Sequence, residues 1–152
     1  MNTPDGIEII ARAVIVSDGR VLLVRRKGAG NTFLPGGHVD FGESGVRAIA
    51  RELDEELGLT VAAGPFLAVV EHAFTTPKGI TQEVNLLFTV EAGDLDPRGP
   101  VPSCEDHLEF IWVDCTAAQL KSVNLQPWVL QQALVDYRAT GRMAPFLTTI
   151  GR

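Results

Sequence analysis

Three glutamates in the first half of the chain have the type and spacing needed to bind a metal ion. Glu52, Glu55 and Glu56 occur at positions i, i+3 and i+4, so on a helix they share one face within about one turn. Like charges at this spacing destabilise an isolated helix by about 0.2–0.5 kcal/mol per pair. A hard divalent cation such as Mg²⁺ or Mn²⁺ would reverse that repulsion, because these ions prefer oxygen ligands. The alternative is an acidic helix face that is simply solvated.

The residues around these glutamates favour a site over a plain acidic face. The run "PGG" at 35–37 allows a sharp turn and a close approach of the backbone, so the carbonyl of Gly37 is a candidate ligand for the same metal. Arg51 adjoins the cluster, and a guanidinium can fix a carboxylate by paired hydrogen bonds. The alternative for Arg51 is an ordinary surface ion pair, which contributes little free energy.

The stretch that begins at Gly37 resembles the Nudix box at every specified position. It covers 23 consecutive residues with nine specified positions. The order is Gly37, five residues, Glu43, seven residues, Arg51-Glu52-Leu53, one residue, Glu55-Glu56, one residue and Gly58-Leu59. A motif of this length is far more specific than a lone short pattern. The rest of the chain fits the family only in the order of its elements.

The resemblance implies a fold, an activity and a set of site residues. The fold would be an α/β/α sandwich with a mixed β-sheet between helices, and the activity that of a pyrophosphohydrolase acting on a nucleoside diphosphate linked to another group. Mg²⁺ or Mn²⁺ would be bound by the three glutamates and the Gly37 carbonyl. Glu43 and Arg51 would orient the loop–helix–loop segment beside the metals.

The chemistry that follows requires a proton acceptor. Bound cations neutralise the charge of two linked phosphates and activate a water molecule, and a nearby carboxylate takes the proton of that water. Glu52 is the candidate base within the box. The downstream candidates lie in "CEDHLEF" and are Glu105, Asp106 and Glu109. Their alternative role is that of solvated charges on a loop and a strand.

Several residues outside the glutamate cluster are candidates for contact with the substrate. Arg25 and Arg26 end a strand next to the glycine-rich loop, Phe33 lies in that loop, and His38 follows the paired glycines. An arginine there could meet phosphate, Phe33 could stack on a base, and His38 could contact phosphate or metal or have a structural role. The other histidines and aromatics considered are expected to be structural or core residues: His72, His107, Phe74, Trp112 and Trp128.

The elements that must position these residues can be predicted from periodicity and breakers. Apolar, β-branched segments predict strands at 7–17, 21–26, 66–74, 83–90 and 108–114. Helices are predicted at 43–58, 116–122 and 127–139, the first with Ser44 as its N-cap and Gly58 as its C-cap, the last with Pro127 in its first turn. Residues 27–37 are predicted as a loop with a short extended piece near Phe33. These elements predict a single α/β domain over residues 1–152.

Composition limits the partners. The chain has 152 residues and a net charge of −6, and its longest basic run is "RRK" at 25–27, so long nucleic acid is not an expected partner. Two cysteines predict free thiols in a reducing cytoplasm. There is no signal-like N-terminus and no apolar run near the roughly 18 residues that span a bilayer. A homodimer is compatible with the sequence.

The substrate is the least determined feature at this stage. Pro77 lies 18 residues after Leu59, and Tyr137 is the only tyrosine; neither fits the positions associated with ADP-ribose or dinucleoside polyphosphate enzymes of the family. A compact enzyme similar to MutT, acting on (d)NTPs or oxidised nucleotides, is the first expectation. The alternatives are an ADP-ribose or nucleotide-sugar pyrophosphatase and a nucleotide-binding module without catalysis.

Overall fold

The computed structural model describes residues 6–151. Over that range it contains eight strands and three helices. In chain order they are β1 (Glu8–Val14), β2 (Val16–Ser17), β3 (Arg20–Arg26), β4 (Gly36–His38), α1 (Gly45–Leu57), β5 (Ala63–Thr76), β6 (Gly79–Val90), β7 (Leu108–Asp114), α2 (Ala117–Ser122), α3 (Leu130–Thr140) and β8 (Phe146–Thr148).

The strands form two sheets. The larger has the order β4-β1-β6-β5-β8 and is mixed, because β1 pairs parallel to β6 and β5 parallel to β8, whereas the other pairs are antiparallel. The smaller is antiparallel with the order β2-β3-β7. The longest pairing is the β5–β6 hairpin, which closes with Thr76 opposite Gly79.

Two apolar clusters lie on opposite sides of these sheets. In β3, Leu22 and Val24 pack into the cluster that contains the buried face of α1, while Val21 and Leu23 pack into the cluster with α2 and α3. Alternate residues of one strand therefore serve both clusters, as the two-residue period of a strand requires. The arrangement is an α/β/α sandwich, so the predicted fold class is confirmed.

Helix α1 has the boundaries that its sequence predicts. The side chain of Ser44 accepts a hydrogen bond from the backbone N–H of Arg47 at 3.2 Å. Gly58 ends the helix at φ 67°, and its N–H donates to the carbonyl of Asp54 at 2.9 Å. Both ends follow the usual capping chemistry of helices, and together they fix the register of the box glutamates.

Some predicted boundaries were wrong. The predicted strand 7–17 is interrupted at Ile15, because the chain passes there from the larger sheet to the smaller one. The predicted helix 127–139 begins only at Leu130, after a turn in which the N–H of Leu130 donates to the carbonyl of Pro127 at 2.9 Å. Strands β4 and β8 were not predicted; each has three residues and forms only by pairing with distant strands.

Within residues 6–151, no helix is long and apolar enough to cross a bilayer.

Candidate active site

Strand β4 brings the backbone of the glycine pair against helix α1. Gly36 has a φ of 141°, and a Cβ there would overlap the carbonyl oxygen of Ala11 on β1. A Cβ on Gly37 would overlap the carboxyl group of Glu52. At Gly36 the obstacle is backbone, so only glycine fits there. At Gly37 the obstacle is the end of the Glu52 side chain, which a Cβ would displace. The two glycines therefore allow the Glu52 carboxylate to lie directly against the backbone of β4.

Arg51 organises the loop that joins β4 to α1. Its Nε and Nη2 donate to the two carboxylate oxygens of Glu43 at 2.7 and 2.9 Å, and Nη2 also donates to the carbonyl of His38 at 2.9 Å. Its Nη1 donates to Glu52 at 3.0 Å and lies 3.4 Å from Glu55. The hydrogen bonds from Arg51 lower the pKa of Glu43 to about 2, and in return the pKa of Arg51 is raised. A paired fork of this kind fixes orientation as well as charge.

Glu56 is the most perturbed carboxyl group of the site. Its Oε2 is buried and has no hydrogen-bond partner among the described residues. Burial, followed by the negative charge of Glu52, raises the pKa of Glu56 to about 8, although Arg12 acts in the opposite direction. Glu55 differs from both neighbours, because its side chain is 51% exposed and turned towards Arg51. The i, i+3, i+4 spacing thus gives two partly buried carboxyl groups, those of Glu52 and Glu56, and a more exposed third, that of Glu55.

Arg12 lies close to this carboxyl pair, although sequence analysis assigned it no role. Its Nε donates to the side chain of Asn85 at 3.2 Å and its Nη1 to the carbonyl of Leu34 at 3.0 Å, while its guanidinium lies 5.2 Å from the centre of the Phe33 ring. Burial lowers the pKa of Arg12, and the charges of nearby carboxylates, led by Glu83, raise it. A guanidinium nevertheless stays cationic in proteins, so Arg12 supplies a fixed positive charge.

Arg12, Glu52 and Glu56 line one cavity of about 800 Å³, which is within the range of roughly 300–1,000 Å³ typical of small-molecule sites. The cavity brings together six of the sequence-predicted site residues: Arg26, Phe33, Gly37, His38, Glu52 and Glu56. Residues of both sheets line it. The side chain of His38 also lies 3.5 Å from that of Glu8 at the cavity wall.

Other predicted site residues lie elsewhere. Arg25 and Glu109 are opposite each other on β3 and β7 and form an ion pair at 3.1 Å outside the cavity. Arg25 was predicted to contact the substrate, and Glu109 was a candidate for the base. In the structure the two side chains instead bind each other. Asp106 is exposed and does not line the cavity. Glu105 lies nearer the box, since its charge helps to raise the pKa of Glu56.

The cavity also contains polar and aromatic residues that sequence analysis treated as structural or did not consider. They are His72 and Phe74 on β5 and Glu83 on β6, and next to them lies the buried Asn85. The available signal was a charged or polar residue inside an apolar strand: Arg12 interrupts the run 7–17, and Glu83 and Asn85 alternate with apolar residues. Trp128 remains outside the cavity, and Trp112 packs against the core cluster of α1.

The donor set fits a hard divalent cation. A carboxyl pair whose buried oxygen lacks a donor is the arrangement that a cation stabilises, and oxygen ligands suit Mg²⁺ and Mn²⁺. Among residues 6–151, no three His, Cys, Asp or Glu side chains already converge on one cation position. The Nη1 of Arg51 contacts both Glu52, at 3.0 Å, and Glu55, at 3.4 Å.

The fold is a mixed α/β sandwich in which helix α1 presents clustered carboxylates to a cavity of the size that small molecules occupy. The NUDIX domain family model matches residues 8–133. The chain is 37% identical over 124 residues to a putative 8-oxo-dGTP diphosphatase 2 of Mycobacterium tuberculosis, covering 79% of this chain and 81% of that protein. It is 32% identical over 136 residues to an isopentenyl-diphosphate Delta-isomerase of Cereibacter sphaeroides, covering 82% and 76%.

A solved structure agrees with these sequence matches. The MutT NUDIX hydrolase from Burkholderia pseudomallei superposes with a TM-score of 0.57 and 30% identity, covering 78% of this chain and 97% of that one. The chain therefore belongs to the Nudix family, and it is a Nudix hydrolase.

Proposed function

We propose that this protein hydrolyses a phosphoanhydride bond of a nucleoside triphosphate or an oxidised nucleotide, with Mg²⁺ or Mn²⁺ as its cofactor. The observation that carries the proposal is the partly buried Glu52–Glu56 pair, in which Oε2 of Glu56 is buried without a hydrogen-bond partner among the described residues, beside the cationic Arg12 in a cavity of about 800 Å³. The carboxyl groups suit a divalent cation and Arg12 suits a phosphate, so together they fit a nucleotide that binds as a complex with its metal ion.

Glu52, Glu56, Glu55 and the carbonyl of Gly37 would bind the cation. When bound, a divalent cation neutralises phosphate charge and lowers the pKa of a coordinated water. To bind the cation, Glu55 would have to give up its contact with Arg51. That contact is weak, because it is 3.4 Å long and the side chain of Glu55 is half exposed. The paired hydrogen bonds from Arg51 to Glu43 would hold the loop in place while Glu55 moves.

The remaining residues of the site have separate roles. Arg12 and Arg26 line the cavity and would contact the phosphates of the substrate, as guanidinium groups do well. Glu52 is the proposed proton acceptor, and Glu105 is the alternative because its charge reaches the same carboxyl pair. Asp106 and Glu109 are not proposed as the base, since neither lines the cavity.

The substrate class is proposed from similarity to the protein named as a putative 8-oxo-dGTP diphosphatase, of which most of the length is matched. We also propose that residues 1–152 act as one catalytic domain. The expected compartment is the reducing cytoplasm, because Cys104 and Cys115 are free. A homodimer stays a prediction.

A product analysis tests the proposed reaction. The protein is incubated with Mg²⁺ or Mn²⁺ and equal concentrations of dNTPs, 8-oxo-dGTP, ADP-ribose and isopentenyl diphosphate, and the products are separated. A nucleoside monophosphate and pyrophosphate are expected from the triphosphates. A kcat/KM for ADP-ribose that exceeds every triphosphate by roughly tenfold, about 1.4 kcal/mol, would contradict the triphosphate proposal and favour the ADP-ribose alternative. Binding of nucleotides without any turnover would favour the non-catalytic module.

A further inference from the structure

A row of polar side chains crosses three strands within the cavity. Glu83 on β6 is in register with His72 on β5 and with Glu8 on β1, and residues in register on neighbouring strands share a face of the sheet. Phe74 lies two residues beyond His72, on the same face. All four residues line the cavity. This part of the cavity, formed by β5 and β6, is separated by strand β1 from β4, and the Glu52 carboxylate of helix α1 lies against β4.

Glu83 is a buried acceptor with unused capacity. It is only 7% exposed, and among the described residues its carboxylate receives a single hydrogen bond, from the amide of Asn85 at 3.1 Å. No Lys or Arg of residues 6–151 forms an ion pair with it. A carboxylate has about four acceptor sites, and a buried one is costly unless donors occupy them. The remaining acceptor sites of Glu83 therefore favour a ligand that brings N–H donors into the cavity.

Asn85 fixes the position of Glu83. Its amide nitrogen donates to Glu83 and, at 3.3 Å, to the carbonyl of Val70, while its amide oxygen accepts from Arg12. With every polar group of a 1% exposed side chain used, Asn85 cannot turn without losing hydrogen bonds. The Glu83 carboxylate is thus held beside the open part of the cavity rather than being free to fold away from it.

The neighbouring aromatic pair provides a flat surface for a ring. The His72 and Phe74 rings are stacked, with centroids 5.1 Å apart and an interplanar angle of 30°. The ring of His72 is fixed by a 2.9 Å contact between its Nδ1 and the hydroxyl of Thr149, and Phe74 is 40% exposed. Such a surface suits a planar heterocycle, and a nucleobase is the planar part of the proposed substrates.

We propose that this part of the cavity binds a guanine-type base and that Glu83 is the residue that selects it. The inference rests on the proposed function and names the base that the site prefers. The Watson–Crick edge of guanine, and that of 8-oxoguanine, presents the adjacent donors N1–H and N2–H₂, which match two carboxylate oxygens. Adenine and cytosine present one donor beside an acceptor, and thymine presents one donor between two carbonyls, so each would place a lone pair against Glu83.

The base preference is measured by both turnover and binding. We expect kcat/KM for dGTP to exceed that for dATP, dCTP and dTTP by roughly tenfold or more, and GMP to bind more tightly than AMP by a similar factor in calorimetry, as hydrogen bonds to a charged acceptor imply. GMP and AMP report on the base site without any hydrolysis. If GMP is preferred but no triphosphate is cleaved, the proposed function fails and the base site stands.

Glu83→Gln is the decisive variant. Glutamine has the same shape but offers one acceptor and one donor, so it should lower the affinity for GMP by about 10–100-fold and shift the preference towards AMP, whose edge has the complementary pair. Glu71→Gln is the matched control, because Glu71 is on the same strand pair, faces away from Glu83 and does not line the cavity. It should leave both affinities unchanged.

Two results would overturn the inference. One is a wild-type protein that binds GMP and AMP equally; the other is a folded Glu83→Gln variant that keeps the guanine preference of the wild type. If Glu83→Gln does not fold, Glu83→Asp is measured instead. It retains the charge but withdraws the carboxylate, so it should lose the preference for GMP without gaining affinity for AMP, and an unchanged preference would again contradict the inference.

Discussion

The backbone of Gly37 lies against the carboxylate of Glu52, and a Cβ at position 37 would overlap that carboxylate. The contact joins strand β4 to helix α1, two elements that are separated along the chain by the loop that Arg51 and Glu43 hold. A side chain at position 37 would therefore displace the Glu52 carboxylate from its present position. The importance of the contact between Gly37 and Glu52 can be tested by the rate of hydrolysis of any nucleotide that the enzyme cleaves, whichever base it contains.

Gly37→Ala should reduce activity by displacing the Glu52 carboxylate. A shift of about 1 Å at a reacting centre can cost on the order of 10²-fold in rate, and we expect a loss of that size in kcat, measured with saturating metal. Gly93→Ala is the control, because a Cβ at Gly93 meets nothing within 4 Å. Equal losses in the two variants would show that the contact between Gly37 and Glu52 has no part in catalysis.

Glu56→Gln should remove both catalysis and metal binding. We expect kcat to fall roughly 10²–10³-fold, about 3–4 kcal/mol, as for loss of one preorganised charge contact. Chelation should abolish turnover in the wild type, and Mn²⁺ should raise its unfolding temperature by preferential binding to the folded state. The variant should lose most of that rise, whereas Glu71→Gln should retain it. Full turnover in the presence of chelator would remove the metal from the mechanism.

Arg12→Lys should impair the enzyme more than Arg25→Lys. Lysine keeps the charge but loses the fork that donates to Asn85 and Leu34 and the stacking on Phe33. We expect kcat/KM to fall by roughly 10–100-fold for Arg12→Lys, as for loss of charged hydrogen bonds. Arg25 pairs with Glu109 outside the cavity, so its replacement should have little effect. The opposite order in steady-state kinetics would restore Arg25 as the substrate contact.

Protonation of His72 should destabilise the fold. Burial lowers the pKa of His72, although Glu83 acts against that shift, so the unfolded chain binds this proton more readily than the folded one. The stability contributed by neutral His72 is present above the unfolded histidine pKa of about 6.5 and is lost as the pH falls below it. His72→Gln should therefore lose less stability than the wild type between about pH 7.5 and pH 5.5, measured by denaturant unfolding with chelator present.

The effect of His72 is measured as the difference in pH dependence of stability between the wild type and His72→Gln. Glu56, whose raised pKa is about 8, destabilises the fold as the pH rises and so opposes the effect of His72 over the same range. Because Glu56 is common to the wild type and the variant, its contribution cancels to first order in the difference. His107→Gln is the control, since the side chain of His107 is 63% exposed. A pH dependence that His72→Gln leaves unchanged would contradict the prediction.

The box and its helix were predictable because their determinants are local. The spacing of Glu52 and Glu56 defines one face of α1, and Ser44 and Gly58 cap that helix through bonds to residues within five positions. The Nudix resemblance of residues 37–59 then predicted the α/β/α fold, which the structure and its neighbours confirm. Capping and helical periodicity are short-range properties, so a single sequence contains them in full.

The sequence by itself therefore determined the family, the fold class and the identity of the carboxylate cluster. Tertiary structure alone decided which other side chains share the cavity, because strand pairing joins residues far apart in the chain. The pairing of β3 with β7 places Arg25 opposite Glu109, and neither residue lines the cavity. The pairing of β1 with β6 places Arg12 and Glu83 around Asn85. The alternation of apolar residues decides which face of a strand is buried, but no local pattern in a strand specifies which distant strand lies beside it.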